Sequence, residues 1–455
     1  MKRIWPGLLI GAVASALMAT TTQAKVTPEQ AAQLGDTLTP MGAEVAANAD
    51  GTIPRWNGGQ TAAPPNYAGA GTRYVDPYPD DAPLFTISAA NLDAHRGQLT
   101  PGQIALFDKY PDSYAIKVYP TRRSFANPIA VYTATRQNAE RAELSDDGES
   151  IHNASLGIPF PNPANGREVV WNHRLRYRDV SVRRWNNQFA VSASGEYNAV
   201  KFREDQLLLY ALPDIKQPRP GNALLFLTRV VTAPARLAHS FTLIHDDLDG
   251  SKHPREAWQF NPGQEQWRRA SNVAYDNYAT ATDGLRTHDQ ADMFSGALDR
   301  YDWKLLGKRE IYIPVNAYRL HSAVVKYGDL IRKNHINPEY ARYELRRVWV
   351  VDARVKKGGV NNLYSRRTLY LDEDSWQIAL AEVYDDQDAL WRVQEAHSLV
   401  EYDHPWQASV LQTLYDLPSG RYLAEGLNNE DPETAERPAD PDEFTPSRAA
   451  RLARK

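Results

Sequence analysis

The pattern of apolar and polar positions is clearest over residues 346–397. Three runs rich in β-branched and aromatic residues cover residues 348–355, 364–371 and 376–384, and a fourth covers 391–397. Short polar breaks of four to seven residues separate them. Runs and breaks of this length predict an antiparallel meander. No helix-length segment intervenes, so parallel crossovers are not expected.

The run over residues 376–384 has no polar face. Ile378 and Leu380 lie on one side of the predicted strand and Ala379 lies on the other. A strand that faces water on one side alternates apolar and polar residues instead. We therefore expect both faces of this strand to be covered, or one of them to line a cavity.

Other parts of the chain show helical as well as extended patterns. Threonine followed by proline predicts helix starts at residues 27, 39 and 100, because threonine caps a helix and proline fits its first turn. Apolar residues at helical spacing predict helices over residues 127–144 and 166–178. Further strands are expected at residues 189–202, 223–232, 237–245, 256–260, 267–269, 307–313 and 319–327. The pattern predicts an α+β protein that is mainly antiparallel β.

The first 24 residues have the three parts of a secretory signal peptide. Lys2 and Arg3 form a basic start, residues 8–19 are apolar, and residues 22–24 supply small side chains for cleavage. The apolar stretch is too short to span a bilayer. The sequence therefore predicts an exported protein, which in a bacterium is periplasmic or associated with the outer membrane.

The amino-acid composition argues against several kinds of site and partner. The 455 residues contain no cysteine, so we expect no disulfide, no thiolate metal site and no cysteine-linked lipid anchor. A net charge of −4 gives no reason to expect nucleic acid as a partner. A hydrophobic content of 42% is sufficient for a large core.

Two local patterns bear on metal binding and catalysis. Residues 245–256 resemble a calcium loop, but His245 stands where an Asp ligand belongs and both flanks are strand-like, so a hairpin turn explains them better. The carboxylates of residues 372–374 and 385–386 fall in predicted turns, where solvated side chains are expected. The sequence has no G-x-S-x-G motif and no close histidine pair. We therefore expect no catalytic residue, metal site or cofactor.

Tryptophans and two arginines supply the candidate ligand contacts. Adjacent residues of a strand face opposite sides, so either Arg366 or Arg367 needs a buried anionic partner, such as Asp372, Glu373 or Glu382. Tryptophans of the β half could line a lipid-sized cavity, with core packing as the alternative for each. The ligand-lining candidates are Trp258, Trp267, Trp303, Trp349, Arg366, Arg367, Trp376 and Trp391.

Four long segments resemble a known family. They are residues 38–59 (LTPMGAEVAANADGTIPRWNGG), 156–178 (LGIPFPNPANGREVVWNHRLRYR), 292–314 (DMFSGALDRYDWKLLGKREIYIP) and 364–392 (YSRRTLYLDEDSWQIALAEVYDDQDALWR). In this order they resemble the DUF1329 family of secreted proteobacterial proteins without assigned activity. The resemblance implies an open half-barrel like that of the lipoprotein carriers LolA and LolB, with helices across its mouth. It also implies DUF1302-type outer-membrane and RND-type exporter partners, and it supplies no catalytic residues.

Together, the pattern of apolar and polar residues and the family resemblance predict that the chain has four parts. These are a signal peptide at residues 1–24, an extended and helical segment at 25–186 that packs on the body, an antiparallel β half-barrel at 187–427, and a tail at 428–455. The expected function is a non-enzymatic periplasmic carrier or adaptor for a hydrophobic or amphipathic, lipid-like molecule. Two alternatives stay open: a ligand-free structural partner of an outer-membrane β-barrel, and a periplasmic hydrolase of a lipophilic ester.

Overall fold

A computed structural model describes residues 26–212, 222–250, 252–263, 266–271, 273–358 and 362–448. The predicted signal peptide lies outside these ranges. Within them, no helix combines the length and the apolar character that a membrane span requires. Strands account for most of the regular structure.

The helices are short and the strands are numerous. The helices are α1 (Pro28–Ala32), α2 (Pro101–Lys109), α3 (Ile129–Arg141), α4 (Gly166–Leu175), α5 (Tyr318–His321) and α6 (Tyr327–Leu330). The strands of the first half are β1 (Phe85–Ile87), β2 (Ile116–Val118), β3 (Glu143–Leu144), β4 (Ile151–His152), β5 (Ser181–Trp185), β6 (Asn187–Val191) and β7 (Tyr197–Leu207). Those of the second half are β8 (Ala223–Ala233), β9 (Phe241–Asp247), β10 (Glu256–Asn261), β11 (Gln266–Ala270), β12 (Tyr301–Pro314), β13 (Tyr343–Val355), β14 (Arg366–Asp372), β15 (Ile378–Tyr384), β16 (Leu390–Glu401), β17 (Trp406–Asp416), β18 (Arg421–Leu427) and β19 (Ala435–Glu436).

Most of the strands follow one antiparallel path. β12 pairs with β13, and each strand from β13 to β17 pairs with the next strand along the chain. β18 then pairs with β6. At the opposite end, β13 meets β2 through a parallel bridge between Tyr343 and Val118. The predicted meander over residues 346–397 is confirmed as β13 to β16.

The strands from β12 to β18, together with β6, form the first sheet. A long hairpin, with β5 and β6 on one arm and β7 on the other, joins it to a second sheet. β5 and β6 run end to end along β7 in one register, which begins with Ser181 opposite Leu207. Asn186 separates the two strands but keeps the register, since its amide donates to the carbonyl of Phe202 over 3.0 Å. The second sheet continues from β5 and β7 through β8, β9 and β10 to β11. In the described part of the chain β11 and β12 do not pair with each other, so the predicted open sheet is confirmed.

Helices cover both faces of the first sheet. All seven residues of β15 are buried, which confirms that neither face of this strand is solvated. On the face that carries Glu382, α2 approaches so closely that a Cβ on Gly102 would lie 3.0 Å from Val393. On the opposite face, α4 packs against β12 and β13, where a Cβ on Gly166 would lie 3.0 Å from Val351.

Side chains of β13 and of the turn between β14 and β15 hold the extended segment near residue 40. The indole of Trp376 donates to the carbonyl of Met41 over 2.8 Å. Arg347 donates to the carbonyls of Glu44 and Ala46 over 3.1 and 2.8 Å. These side chains satisfy backbone oxygens that an extended chain outside a sheet would otherwise leave without partners. These hydrogen bonds therefore fix the extended segment to the sheet.

The expectation of solvated carboxylates at residues 372–374 is wrong. The three residues are 1%, 1% and 4% exposed. Asp374 accepts from Arg123 over 2.6 Å and from Arg346 over 2.8 Å. Buried charges persist where such partners compensate them. At the next turn Asp386 is exposed, as expected.

Three local predictions also differ from the structure. No helix begins at Thr39, because its hydroxyl accepts from the amides of Met41 and Ala43 and closes a turn. Residues 319–327, expected as a strand, contribute to α5 and α6; short apolar runs do not distinguish helix from strand. The run over residues 189–202 is a hairpin rather than one strand.

Two adjacent glycines allow a matched test of the close approach between the extended segment and the body. Gly58 and Gly59 have φ values of +108° and +78°, which favour glycine. A Cβ on Gly59 would lie 2.2 Å from the carbonyl oxygen of Phe125, whereas a Cβ on Gly58 would meet nothing within 4 Å. We expect Gly59→Ala to lower the free energy of unfolding by roughly 1 to 3 kcal/mol more than Gly58→Ala. Urea titration of both variants measures the difference, and equal losses would contradict the close packing.

Candidate functional site

A cavity of about 150 Å³ lies between the second sheet and strands β17 and β18. Including the open mouth, the empty space amounts to about 1160 Å³. Its walls come from β5, β7, β8 and β9 on one side and from β17 and β18 on the other. The chain at the end of α4 and residues 291–295 complete it.

The alternation of β8 directs one face of the second sheet into the cavity. Leu225, Leu227 and Arg229 line the cavity. Phe226 and Val230 point to the opposite face, where they join an apolar cluster. Because side chains alternate along a strand, the same residues that anchor the outer face fix the positions of the inner ones.

The chain after α4 brings two arginines to one carboxylate. α4 ends at Leu175, and the backbone leaves the helix at Arg176, which has φ −56° and ψ 145°. Arg176 and Arg178 each lie 2.6 Å from Asp292. Burial raises the pKa of Asp292, but the two guanidinium groups outweigh it and hold that pKa well below its usual range. Asp292 is therefore ionised at neutral pH.

Two further carboxylates share Arg229. It lies 2.6 Å from Glu204 and 2.8 Å from Glu425. Arg184 lies 2.9 Å from Glu204, and Arg286 lies 2.9 Å from Glu425. Burial opposes ionisation, but these arginines lower the pKa of Glu204 to about 2 and hold the pKa of Glu425 below its usual value. Both carboxylates are ionised at neutral pH.

Arg174 differs from the other arginines of the wall. Its guanidinium lies 4.2 Å above the ring of Trp171 and 3.7 Å from Asp246, a carboxylate that Arg255 contacts at 2.7 Å. Its side chain is 7% exposed. Among the described residues it donates no hydrogen bond. Burial lowers the pKa of Arg174, which is consistent with this incomplete pairing.

Apolar side chains complete the walls of the cavity. They are Trp185, Leu224, Leu225, Leu227, Ile244, Ala291, Phe294 and Trp406. Ligand sites commonly combine an apolar lining with a few convergent polar groups. This cavity has both, so its chemistry suits a molecule with one apolar and one polar part.

The six tryptophans proposed as ligand contacts lie outside this cavity. Trp376 is fully buried, and its ring stacks on Trp349 with the centroids 6.1 Å apart. Trp258 and Trp267 pack against the apolar cluster on the outer face of the second sheet. Their role as ligand contacts stays a prediction.

The remaining tryptophans use their indole N–H groups within the protein. Trp303 donates to the carbonyl of Leu298 over 2.9 Å, and Trp391 donates to Asp416 over 2.9 Å. A buried indole N–H usually has a protein partner of this kind. For Trp303 and Trp391, too, contact with a ligand stays a prediction.

Arg366 and Arg367 face opposite sides of β14 and also lie outside the cavity. Arg366 lies 2.6 Å from Asp388 near the surface. Arg367 is buried and lies 2.5 Å from Asp289. The partner of Arg367 is therefore distant in sequence and is none of the three carboxylates expected from the local pattern. Both contacts are ion pairs within the protein.

The arginines of the cavity wall were missed because most have no local signal. Arg174, Arg176 and Arg178 alternate in the segment RLRYR. Arg174 still belongs to α4, whereas Arg176 and Arg178 follow its end, where a spacing of two residues places side chains on one face of extended chain. Arg184, Arg229 and Arg255 come from separate strands and turns, and no sequence spacing connects them.

The amino-acid sequence matches a known protein family. A family model described as "Protein of unknown function (DUF1329)" matches residues 86–450. The chain belongs to the DUF1329 family. An uncharacterized protein of Pseudomonas aeruginosa is 47% identical to this DUF1329 protein over 423 residues, which are 92% of each chain. The resemblance seen in the four sequence segments is thereby confirmed.

Three solved structures are similar to this DUF1329 protein at low identity. An outer membrane lipoprotein-sorting protein domain from Vibrio parahaemolyticus is 12% identical, with 62% of this chain and 97% of that one covered and a TM-score of 0.43. A DUF1329 family protein from Desulfovibrio piger is 13% identical, with coverages of 60% and 92% and a TM-score of 0.41. A LolA superfamily protein from Nitrosomonas europaea is 12% identical, with coverages of 63% and 99% and a TM-score of 0.39. Likeness at this level transfers no function to this chain.

His245, Glu256 and the Ser113–His335 pair do not line the cavity of this DUF1329 protein. The described ranges contain no cluster of three or more histidines and carboxylates arranged for a metal. Glu256 pairs with His245 across the β9–β10 hairpin, and His245 lies 2.8 Å from the carbonyl of Phe444. Ser113 lies 2.9 Å from His335, but neither residue lines the cavity.

Proposed function

We propose that this DUF1329 protein is a non-enzymatic periplasmic carrier or adaptor that holds an amphipathic, lipid-like molecule in the cavity between its two sheets. The observation that carries the proposal is that the cavity lining combines two parts, apolar side chains such as leucines and charged arginines with their carboxylates. An amphiphile satisfies both parts at once, whereas a pure hydrocarbon would leave buried charges facing an apolar surface.

Cavity size limits how the molecule is held. A volume of about 150 Å³ is comparable to that of an engineered apolar cavity that binds benzene. It therefore accommodates a polar group and the first few carbons, and a longer chain extends through the mouth. Each methylene removed from water contributes about 0.8 kcal/mol, so even a few give useful affinity.

The proposed place of action is the periplasm, on the strength of the signal-like residues 1–24. We include in the proposal the DUF1302-type outer-membrane protein and the RND-type exporter as partners, which the family resemblance suggests. Those partners would load the carrier or accept its cargo.

Native mass spectrometry of protein purified from the periplasm of its own host tests the proposal. We expect a reproducible adduct that organic extraction removes. Leu227→Trp should abolish the adduct, because Leu227 lines the cavity and the larger ring fills it. Leu306→Trp is the matched control, because Leu306 is 53% exposed and lies outside the cavity wall.

The result that overturns the carrier is protein free of any adduct that also takes up no added octanol or octyl phosphate. In that case the ligand-free structural partner of an outer-membrane protein becomes the reading to pursue. Slow conversion of an added ester to its acid would instead favour the hydrolase.

A further inference from the structure

The cavity wall has more positive than negative groups. Six arginines line it, against four carboxylates. All four carboxylates, Glu204, Asp246, Asp292 and Glu425, have pKa values below their usual range, so they already carry their full negative charge. Two positive charges therefore remain in excess in the wall. An excess of buried charge costs free energy unless a further ion compensates it.

Two described groups behind the wall, one of each sign, leave this excess unchanged. Arg286 adds a positive charge next to Glu425. Glu149 lies near Arg174, and its carboxylate accepts the amide hydrogen of Leu298 over 3.0 Å. Burial raises the pKa of Glu149. With both groups included, seven arginines face five carboxylates, so the balance stays positive.

Arg174 is the least completely paired arginine of the wall, with the carboxylate of Asp246 3.7 Å away as its ion-pair contact. Each of the other five arginines of the wall donates a hydrogen bond to a carboxylate. The guanidinium of Arg174 makes none within the described ranges, although it is held in place over Trp171. A guanidinium fixed in this way presents a planar pair of donors that matches the oxygens of a carboxylate or phosphate.

We propose that the arginines of the cavity wall bind the anionic group of an amphiphile, a carboxylate or a phosphate ester, with Arg174 as its principal contact. The inference rests on the proposed function, because it names the class of molecule that the same cavity holds. Leu225, Leu227 and Ile244 of the second sheet then contact the first carbons of the chain. The remaining chain leaves through the mouth.

Three probes separate the parts of this proposal: octyl phosphate, octanol and inorganic phosphate. Each is titrated into the mature protein below the micelle concentration, with isothermal calorimetry as the readout. We expect octyl phosphate to bind more tightly than either of the other two. Arg174→Gln should weaken octyl phosphate by on the order of tenfold to a hundredfold and leave octanol unchanged.

Two further variants test whether the loss of any arginine, or of positive charge alone, would explain weaker binding. Arg136→Gln removes an exposed arginine of α3 and should leave all three affinities unchanged. Arg174→Lys keeps the positive charge without the planar pair of donors, so it should bind octyl phosphate between the wild-type and Arg174→Gln affinities. If Arg174→Gln does not fold, the comparison of octyl phosphate with octanol on the wild-type protein still shows whether the cavity binds an anionic group.

The outcomes distinguish the two proposals from each other. Equal binding of octyl phosphate and octanol overturns the anionic site but supports the carrier. Inorganic phosphate that binds as tightly as octyl phosphate, through Arg174, supports the anionic site with a free anion as its source and overturns the amphiphile as its ligand. Failure of all three probes to bind overturns both.

Discussion

Replacing Asp374 by asparagine is expected to lower the free energy of unfolding by about 3–5 kcal/mol, because it removes one partner from a buried ion-pair network. The Asp374 carboxylate accepts from Arg123 over 2.6 and 3.1 Å and from Arg346 over 2.8 Å. Arg123 and Arg346 have side chains only 3% and 2% exposed. Asparagine keeps the shape of the side chain but removes the counter-charge of Arg123, and it leaves Arg346 with the carboxylate of Glu344, 3.4 Å away.

The same network attaches the extended N-terminal segment, so the loss should have a second, local effect. Arg123 also donates to the carbonyl of Glu44 over 2.7 Å. We therefore expect limited proteolysis near residue 44 to become faster in the variant, in addition to a lower urea midpoint.

Asp386→Asn is the matched control, since Asp386 occupies the next hairpin turn and is exposed. It should change the free energy of unfolding by less than about 0.5 kcal/mol. An Asp374→Asn protein as stable as this control would show that the buried network contributes little.

Glu395→Gln is expected to flatten the dependence of stability on pH by about 3 kcal/mol between pH 4.5 and 7. Glu395 is fully buried on β16 and accepts from the hydroxyls of Tyr114 and Tyr343 over 3.1–3.2 Å. Burial raises the pKa of its carboxyl to about 7, although the two tyrosines oppose the shift.

The direction follows from proton binding in the two states. Below pH 4.5 the Glu395 carboxyl is protonated in both the folded and the unfolded protein, and its contribution to stability is fully present. As the pH rises, the unfolded chain releases this proton first, while the folded protein keeps it until about pH 7. Stability is therefore lost across this window in the wild-type protein. Glutamine has no proton to lose, so the variant lacks this loss.

The wild-type protein and the Glu395→Gln variant share their other titrating groups. Burial lowers the pKa of His173 to about 3, with Arg176 adding to the effect, and burial alone lowers the pKa of His397 to about 3. His173 costs stability below about pH 6.5 in wild type and variant alike. His397 lies 3.9 Å from Glu395, so the difference between the two proteins reports on Glu395 together with this neighbour. Urea titrations at pH 5 and pH 8 measure it, with Glu140→Gln on the exposed face of α3 as the control. A wild-type profile parallel to the Glu395→Gln profile contradicts the prediction.

The cavity shows how little of a site can be read from local sequence. Arg229 and Glu425 lie 2.8 Å apart although 196 residues separate them in the chain. Their pairing depends on β18 joining β6 and on β7 joining β8, which are contacts between distant segments. The predicted tryptophans were a reasonable choice by chemistry, but nothing in their spacing shows which face of a sheet will line a cavity.

The sequence by itself determined the elements whose cause is local. Alternation and polar breaks specified β13 to β16, and Thr100-Pro101 specified the start of α2, where the threonine hydroxyl accepts from the amide of Gln103 over 3.2 Å. Tertiary structure decided whether a charge is solvated. Residues 372–374 and 385–386 are both acidic turns, yet only the first is covered by Arg123 and the extended segment. Turn chemistry acts over a few residues, whereas burial of a charge depends on which distant segment packs against it.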